Sequence, residues 1–182
     1  PNLIGGIVLG YTWQVMLNAF LQRWDKTITY DWHLGLAGLV MLVNWQLMGY
    51  MMIIYIAGLQ NVPPELIEAA QIDGANAVET LFKVKLPMIA STITICTFLT
   101  LTAAFKQFDV NMALTNGAGS VPNFMGAYLS NGTQMLALNI YNTAIAKNSY
   151  AVAQAKAVLF FLILAVISLI QVRISNSREV EM

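Results

Sequence analysis

The sequence predicts an all-α membrane protein, a polytopic helical bundle of about four transmembrane helices interrupted by one polar helix-turn-helix segment. Three observations carry this. The 182 residues are 58% hydrophobic and 10% charged, where a soluble domain has roughly 25% charged residues, and mean hydropathy is +0.64. Stretches 3–20, 34–62, 88–105 and 150–172 are close to membrane length, and only Lys156 charges any of them. Between the second and third lies 65–89, the only long stretch that is charged, amphipathic and flanked by proline at both ends. The net charge is zero, so no basic field exists for nucleic acid. The single Cys96 lies in an apolar run, which excludes a disulfide framework or a cysteine-based metal site.

In chain order, the first span, 3–20, carries Gly5, Gly6 and Gly10, small residues that permit close helix contact in lipid. Gln14 and Asn18 weaken it slightly as a span. Residues 22–33 form a short polar and aromatic connection, with Trp24, Tyr30 and Trp32 suited to a membrane-interface belt. His33, with no second histidine and no cysteine near it, reads as a solvated loop or interface residue rather than a ligand.

The stretch 34–62 has no charge at all and is the clearest span. Val43, Gln46, Leu47 and Tyr50 fall at i, i+3, i+4 and i+7 and share one helix face. Polar groups at membrane depth face protein or a water-filled path, so Gln46 and Tyr50 either join helices or line such a path. In 88–105, Thr92, Thr94, Thr97, Thr100 and Thr102 can bond back to the helix backbone. Thr100, Ala104 and Gln107 fall at i, i+4 and i+7. Lys106 and Asp109, at i and i+3, read as an ion pair at the membrane surface, with contact to a ligand as the alternative.

Residues 111–149 read as a loop region with a Gly/Asn-rich start, Asn116-Gly117-Ala118-Gly119, and a short helix within 133–146. No GxxxxGK[ST] occurs anywhere, so there is no phosphate cradle. Asn131-Gly132-Thr133 matches a glycosylation sequon, a pattern too short to carry weight. In 150–172, Lys156 lies near the start, where its stem reaches toward the interface. Arg173, Arg178, Glu179 and Glu181 follow in a short tail. Charges at the two ends of the spans balance, so the positive-inside rule gives no orientation.

The polar segment itself begins where Pro63-Pro64 stops the preceding span, and Pro64 suits a first helical position, where its missing N–H costs nothing. Leu66, Ile67, Ala69, Ala70 and Ile72 mark a helical face. Asp73-Gly74 predicts a turn, since glycine takes the left-handed conformation that ends a helix. A second short helix follows through Ala77, Val78, Leu81, Phe82 and Val84, and Pro87 closes it.

Glu68-Ala69-Ala70, then Asp73-Gly74-Ala75, then Val84-x-Leu86-Pro87 resemble the EAA signature of the ABC-importer permease family. The one departure is Val84 where Ile is usual. Leu59-Gln60-Asn61-Val62-Pro63, and Phe108-Asp109 followed by Leu114-Thr115-Asn116-Gly117, resemble the carbohydrate-uptake branch of maltose and multiple-sugar type. The resemblance runs over essentially the whole chain.

It implies a single permease transmembrane domain over 1–182, with 63–87 as a cytoplasmic coupling segment and 111–149 as an outer loop region. Permeases of this branch usually have six spans, which implies that two precede this chain. The implied location is a bacterial cell membrane, with the EAA segment and C-terminus cytoplasmic. Glu68, Ala69, Ala70, Asp73, Gly74, Leu86 and Pro87 would couple to an ATPase, with Glu68 pairing with a basic residue there. Val43, Gln46, Leu47, Tyr50, Thr100, Ala104 and Gln107 would contribute to the sugar path; Ala104 departs from the Asn of maltose-like members, which puts the same sugar in question. The implied partners are a second related permease, two ATPase subunits that use ATP, an extracellular solute-binding protein, the sugar and membrane lipid. The chain itself would bind no cofactor or metal and would not be an enzyme. Alternatives are the same importer role for glycerol phosphate, amino acids or another small polar solute, or a membrane scaffold or ATP-independent channel.

Overall fold

The computed structural model describes residues 2–29, 31–117, 123–124 and 130–176. Tyr30, Ala118, Gly119, Arg178, Glu179 and Glu181, singled out above, lie outside the described residues. Helix α1 is Gly6–Leu21, followed by a 3-10 turn, Gln22–Trp24. Helices α2, Trp32–Gln60, α3, Pro64–Ile72, and α4, Ala77–Thr80, come next. A π-helical turn, Leu81–Lys85, runs into α5, Leu86–Met88. Then come α6, Ala90–Phe105, α7, Asp109–Leu114, α8, Leu136–Ala144, and α9, Tyr150–Asn176. The described strands are two-residue segments, β1, Asn123–Phe124, and β2, Ser130–Asn131, paired antiparallel. The architecture is all-helical in substance.

Among the described residues, α2 and the Tyr150–Arg173 part of α9 are long and apolar enough to cross a membrane alone. A third span forms only if the helical stretch Ala77–Met88 and α6, bent by 73°, count as one. The expected first span is shorter than its sequence suggests. Helix α1 has 16 residues, about 24 Å at 1.5 Å per residue, against a hydrocarbon core of about 30 Å. It starts at Gly6, with Gly5 as its N-cap, extended at ψ 135°, a position that glycine suits. The second span starts earlier than expected, at Trp32. Asp31 caps it, its carboxylate accepting from the backbone N–H of His33 at 2.9 Å and of Leu34 at 3.4 Å. Slight desolvation would raise the Asp31 pKa, but these amides and the nearby His33 and Lys26 hold it below the ordinary value. His33 is exposed, stacked on Trp32 at 3.7 Å and 3.4 Å from Asp31.

The chain divides into two compact units, Pro1–Met48 with Ala103–Leu164, and Gly49–Thr102 with Ala165–Met182. The first unit is built on Leu9, Ile28, Leu39, Leu42, Val110 and Leu114, with Trp13, Leu17, Leu21, Val43 and Met135 packed around them. Glycines let α1 approach α7: a Cβ on Gly6 would lie 2.9 Å from Asp109 Cβ, and one on Gly10 would lie 2.6 Å from Ala113 Cβ. These two are the small-xxx-small pair of close helix packing, whereas Gly5 faces open space. Buried polar groups tie the same unit together. Gln14 Nε2 donates to Leu114 O at 3.1 Å and to Asn116 Oδ1 at 2.8 Å. Asn111 Nδ2 donates to Thr133 O at 2.7 Å, and its Oδ1 accepts from Met135 N at 3.1 Å. Lys156 Nζ donates to Asn139 Oδ1 at 2.7 Å and Thr143 Oγ1 at 2.8 Å, so α8 holds the amine.

In the second unit, Gly58 takes the methyl and hydroxyl of Thr92 into the space a side chain would need, 2.6 Å from the nearer atom. Gln171 Nε2 reaches Thr94 O at 3.4 Å. The α6 threonines bond back as their spacing predicts, Thr94 to Ala90 O at 3.1 Å and Thr97 to Ile93 O at 2.8 Å.

Candidate functional site

The segment between α2 and α6 is assembled from local rules. Pro63 caps α3 with Pro64 at its first position and Glu65 in its first turn, where the helix dipole favours negative charge. At the other end, Ala75 N–H donates to Ala70 O at 2.9 Å and Gly74 N–H to Gln71 O at 3.0 Å. This is the 6→1 and 5→2 pair of a Schellman turn, and Gly74 takes φ +82° as its left-handed residue. The spacing from Ala70 to Gly74 is therefore the spacing of a helix stop. Two residues on, Asn76 starts α4 with a full capping box: its Oδ1 accepts from Val78 and Glu79 N–H at 3.0 and 2.9 Å, and Glu79 Oε2 accepts from Asn76 N–H at 3.0 Å. The Asn76 amide and Lys83, whose Nζ is 3.5 Å away, hold the Glu79 carboxyl below its usual value. The sequence reading missed this cap, whose signal is Asn76-x-x-Glu79.

Pro87 explains the next irregularity. It offers no N–H to the carbonyl of Lys83, and its ring would crowd that carbonyl in an α-helix. The backbone widens into the π turn Leu81–Lys85, with Leu86 N–H donating to Leu81 O. At Ile89 (φ −98°, ψ 19°) the helix breaks and α6 departs at the 73° bend. The second helix of the pair is thus α4, a π turn and α5 in series.

Of the residues expected to couple, Glu68, Ala69, Asp73, Gly74 and Pro87 are exposed, while Ala70 and Leu86 are half-buried. A groove of about 340 Å³ runs between the two arms, lined by Ala70, Asp73, Gly74, Ala75, Glu79, Lys83 and Val84. Ile72 is 86% exposed and Val78 and Phe82 are each 63% exposed. Val78 and Phe82, at i and i+4, share a helix face.

A second concavity, of about 500 Å³, lies in the first unit. Gln46 and Gln107 line it together with Asn2, Lys106, Phe108 and Asp109. Of the seven residues expected along a path, Gln46 and Gln107 line this cleft. Val43 packs on the buried cluster, Leu47 and Ala104 are half-buried outside the cleft lining, and Tyr50 and Thr100 belong to the other unit. The face expected for Thr100, Ala104 and Gln107 is interrupted, because α6 ends at Phe105 and Gln107 lies beyond it. The expected Lys106–Asp109 ion pair is absent among the described residues. Phe108 (φ −124°, ψ −63°) separates α6 from α7, so the i, i+3 rule of a continuous helix does not apply. Among the described residues no cluster of three or more His, Cys, Asp or Glu could hold a metal ion.

A helical membrane chain with this helix-turn-helix belongs to a defined class. It is a member of the family described as binding-protein-dependent transport system inner membrane component, which matches residues 2–179. It is 44% identical over 190 residues to the probable starch degradation products transport system permease protein of Thermoanaerobacterium thermosulfurigenes, covering 100% of this chain and 62% of that protein. It is 35% identical over 141 residues to the multiple sugar-binding transport system permease protein of Streptococcus mutans, covering 78% of this chain and 45% of that protein. Both comparisons leave more than a third of the relative's length unmatched. Its fold is similar to a chain of a bacterial ABC transporter involved in the import of the acidic polysaccharide alginate (TM-score 0.77, 19% identity, 97% of this chain and 62% of that one).

Proposed function

We propose that this chain is part of the permease subunit of an ATP-binding-cassette importer, that it helps form the path for an oligosaccharide, and that separate ATPase subunits drive it. The observation that carries this is the family match over residues 2–179. The sugar is supported by relatives named for starch degradation products, multiple sugars and arabinooligosaccharides. The sequence holds no phosphate-binding loop, so the energy enters through partners. In this reading residues 63–87 face the cytoplasm and dock on an ATPase. Glu68 pairs with a basic residue there, Ala69 and Ala70 permit close approach, Gly74 makes the turn, and Leu86 and Pro87 link the docked element to α6. A second related permease completes the path, and a binding protein delivers the sugar from outside.

The test uses the full-length subunit, assembled with its ATPases, second permease and binding protein in proteoliposomes. Neutral oligosaccharides are expected to stimulate ATP hydrolysis and to be taken up. Gly74→Val is expected to leave membrane insertion intact and to abolish stimulation, because a β-branched residue resists φ +82° at a cost of about 1–3 kcal/mol. Failure of any ATPase to bind the wild-type assembly would overturn the function. Wild-type coupling in Gly74→Val would overturn the role of the turn.

A further inference from the structure

The cleft of the first unit carries two opposite charges that do not neutralise one another. Lys106 and Asp109 both line it, both side chains are exposed, and neither has an ionic partner among the described residues. Their separation is imposed by the backbone. Lys106 sits on the turn that ends α6, and Asp109 starts α7 after the non-helical Phe108. Asp109 is further fixed by Gly6, whose missing side chain leaves the space that the Asp109 Cβ occupies. Its carboxylate therefore stands beside the first turn of α1, where the dipole of a 16-residue helix favours negative charge. Gln46 and Gln107 complete the polar lining with amides that both donate and accept.

We infer that Lys106 and Asp109 are specificity-determining residues of this cleft, selecting a neutral, polyhydroxylated ligand against one with net charge. The inference deepens the proposed function and rests on it. The chemistry is complementary group for group: a carboxylate only accepts, an ammonium only donates, and a sugar hydroxyl does both. Adjacent hydroxyls donating to Asp109 and ring or hydroxyl oxygens accepting from Lys106 satisfy both charges without a counter-ion. A charged sugar instead gains at one group and loses at the other, while a neutral one gains at both, and that difference is the selection.

The two charges thus make predictions of opposite sign. Asp109→Asn and Lys106→Gln are each introduced into the full-length subunit of the reconstituted importer, with the binding protein saturated with sugar. The probes are a neutral glucose trisaccharide and the same trisaccharide carrying one uronic acid. The readout is the ratio of acidic to neutral uptake. Relative to wild type, Asp109→Asn is expected to raise this ratio about tenfold and Lys106→Gln to lower it by a similar factor, the size of a partly screened charge contact. Asp109→Glu and Lys106→Arg, which keep each charge, are expected to restore the wild-type direction of preference. Damage to folding lowers both uptakes together and leaves the ratio where it was. Unchanged ratios, shifts of the same sign, or a shift in only one of the two variants would overturn the inference while neutral uptake by the wild type upholds the importer. Wild-type vesicles that move neither sugar despite bound ATPases would overturn the sugar path and the inference with it.

Discussion

Glu79 shows how one side chain can set a local structure and its pH range. Its carboxylate closes the capping box of α4 and lies 3.5 Å from Lys83. Its folded pKa is lowered by the Asn76 amide and by Lys83. Its contribution to the turn is therefore fully present above the pKa of a free glutamate, and is lost as pH falls through the lower folded value. Protection of the Asn76 amide, taken against its intrinsic exchange rate at each pH, is expected to fall over that acidic range. Glu79→Gln, which keeps an acceptor at the same position, should show a protection factor that does not change over this range. Persistence of the acid transition in Glu79→Gln would assign it to another group. Lys156 makes a second point at this scale. Its position suggested a stem reaching toward the interface, yet Asn139 and Thr143 hold its amine. Those two residues are spaced i, i+4 and so present one ridge of α8, a pattern visible in the sequence once the lysine's direction is known.

At the scale of elements, glycine decides where helices meet and where they stop. On α1 the prediction separates neighbours that look alike in the sequence. Gly10→Val places atoms where Ala113 Cβ already lies, and is expected to cost about 1–3 kcal/mol by overpacking. Gly5→Ala, which meets open space, is expected to be neutral within about 0.5 kcal/mol. Thermal unfolding of the purified full-length subunit in detergent checks both. Equal effects would mean that α1 does not pack on α7 through Gly10. The turn at Gly74 was legible because Asp-Gly after an apolar helical face has few other solutions. The π turn was not, since it arises from Pro87 acting backward on a carbonyl four residues earlier rather than from a propensity within Leu81–Lys85.

For the molecule as a whole, composition and long uncharged runs were sufficient to give the helical membrane class. They were insufficient to count spans. The run 3–20 is apolar enough, but its helix is Gly6–Leu21, 16 residues, while 88–105 joins the preceding segment through a bend. Hydropathy weighs side chains; the bend is set by backbone geometry at Pro87 and Ile89. The same division runs through the candidate cleft. Gln46 and Gln107 were found because polar groups at membrane depth are costly. Asn2, Lys106 and Asp109 were found together only in the fold, because they gather where helices end and periodicity carries no information. The buried tie of Asn111 to Thr133 and Met135 joins residues 22 and 24 positions apart, a distance at which no spacing rule operates.

The π turn also has an arithmetical side. A hydrogen bond from Leu86 to Leu81 spans five residues where an α-helix spans four, so Leu81–Lys85 stores one residue in excess. Chain length is therefore spare at this point and nowhere in α3, where the register from Ala70 to Gly74 is fixed by the stop. Deleting Val84 is expected to remove the excess residue, with the proline break kept, and leave the subunit inserted and assembled. Deleting Gln71 is expected to misplace Gly74 and release the ATPases, as co-purification would report. Equal losses from the two deletions would show that the surplus residue is not slack. If it is slack, this one turn of helix is where a chain of this kind can gain or lose a residue without altering what it holds on either side.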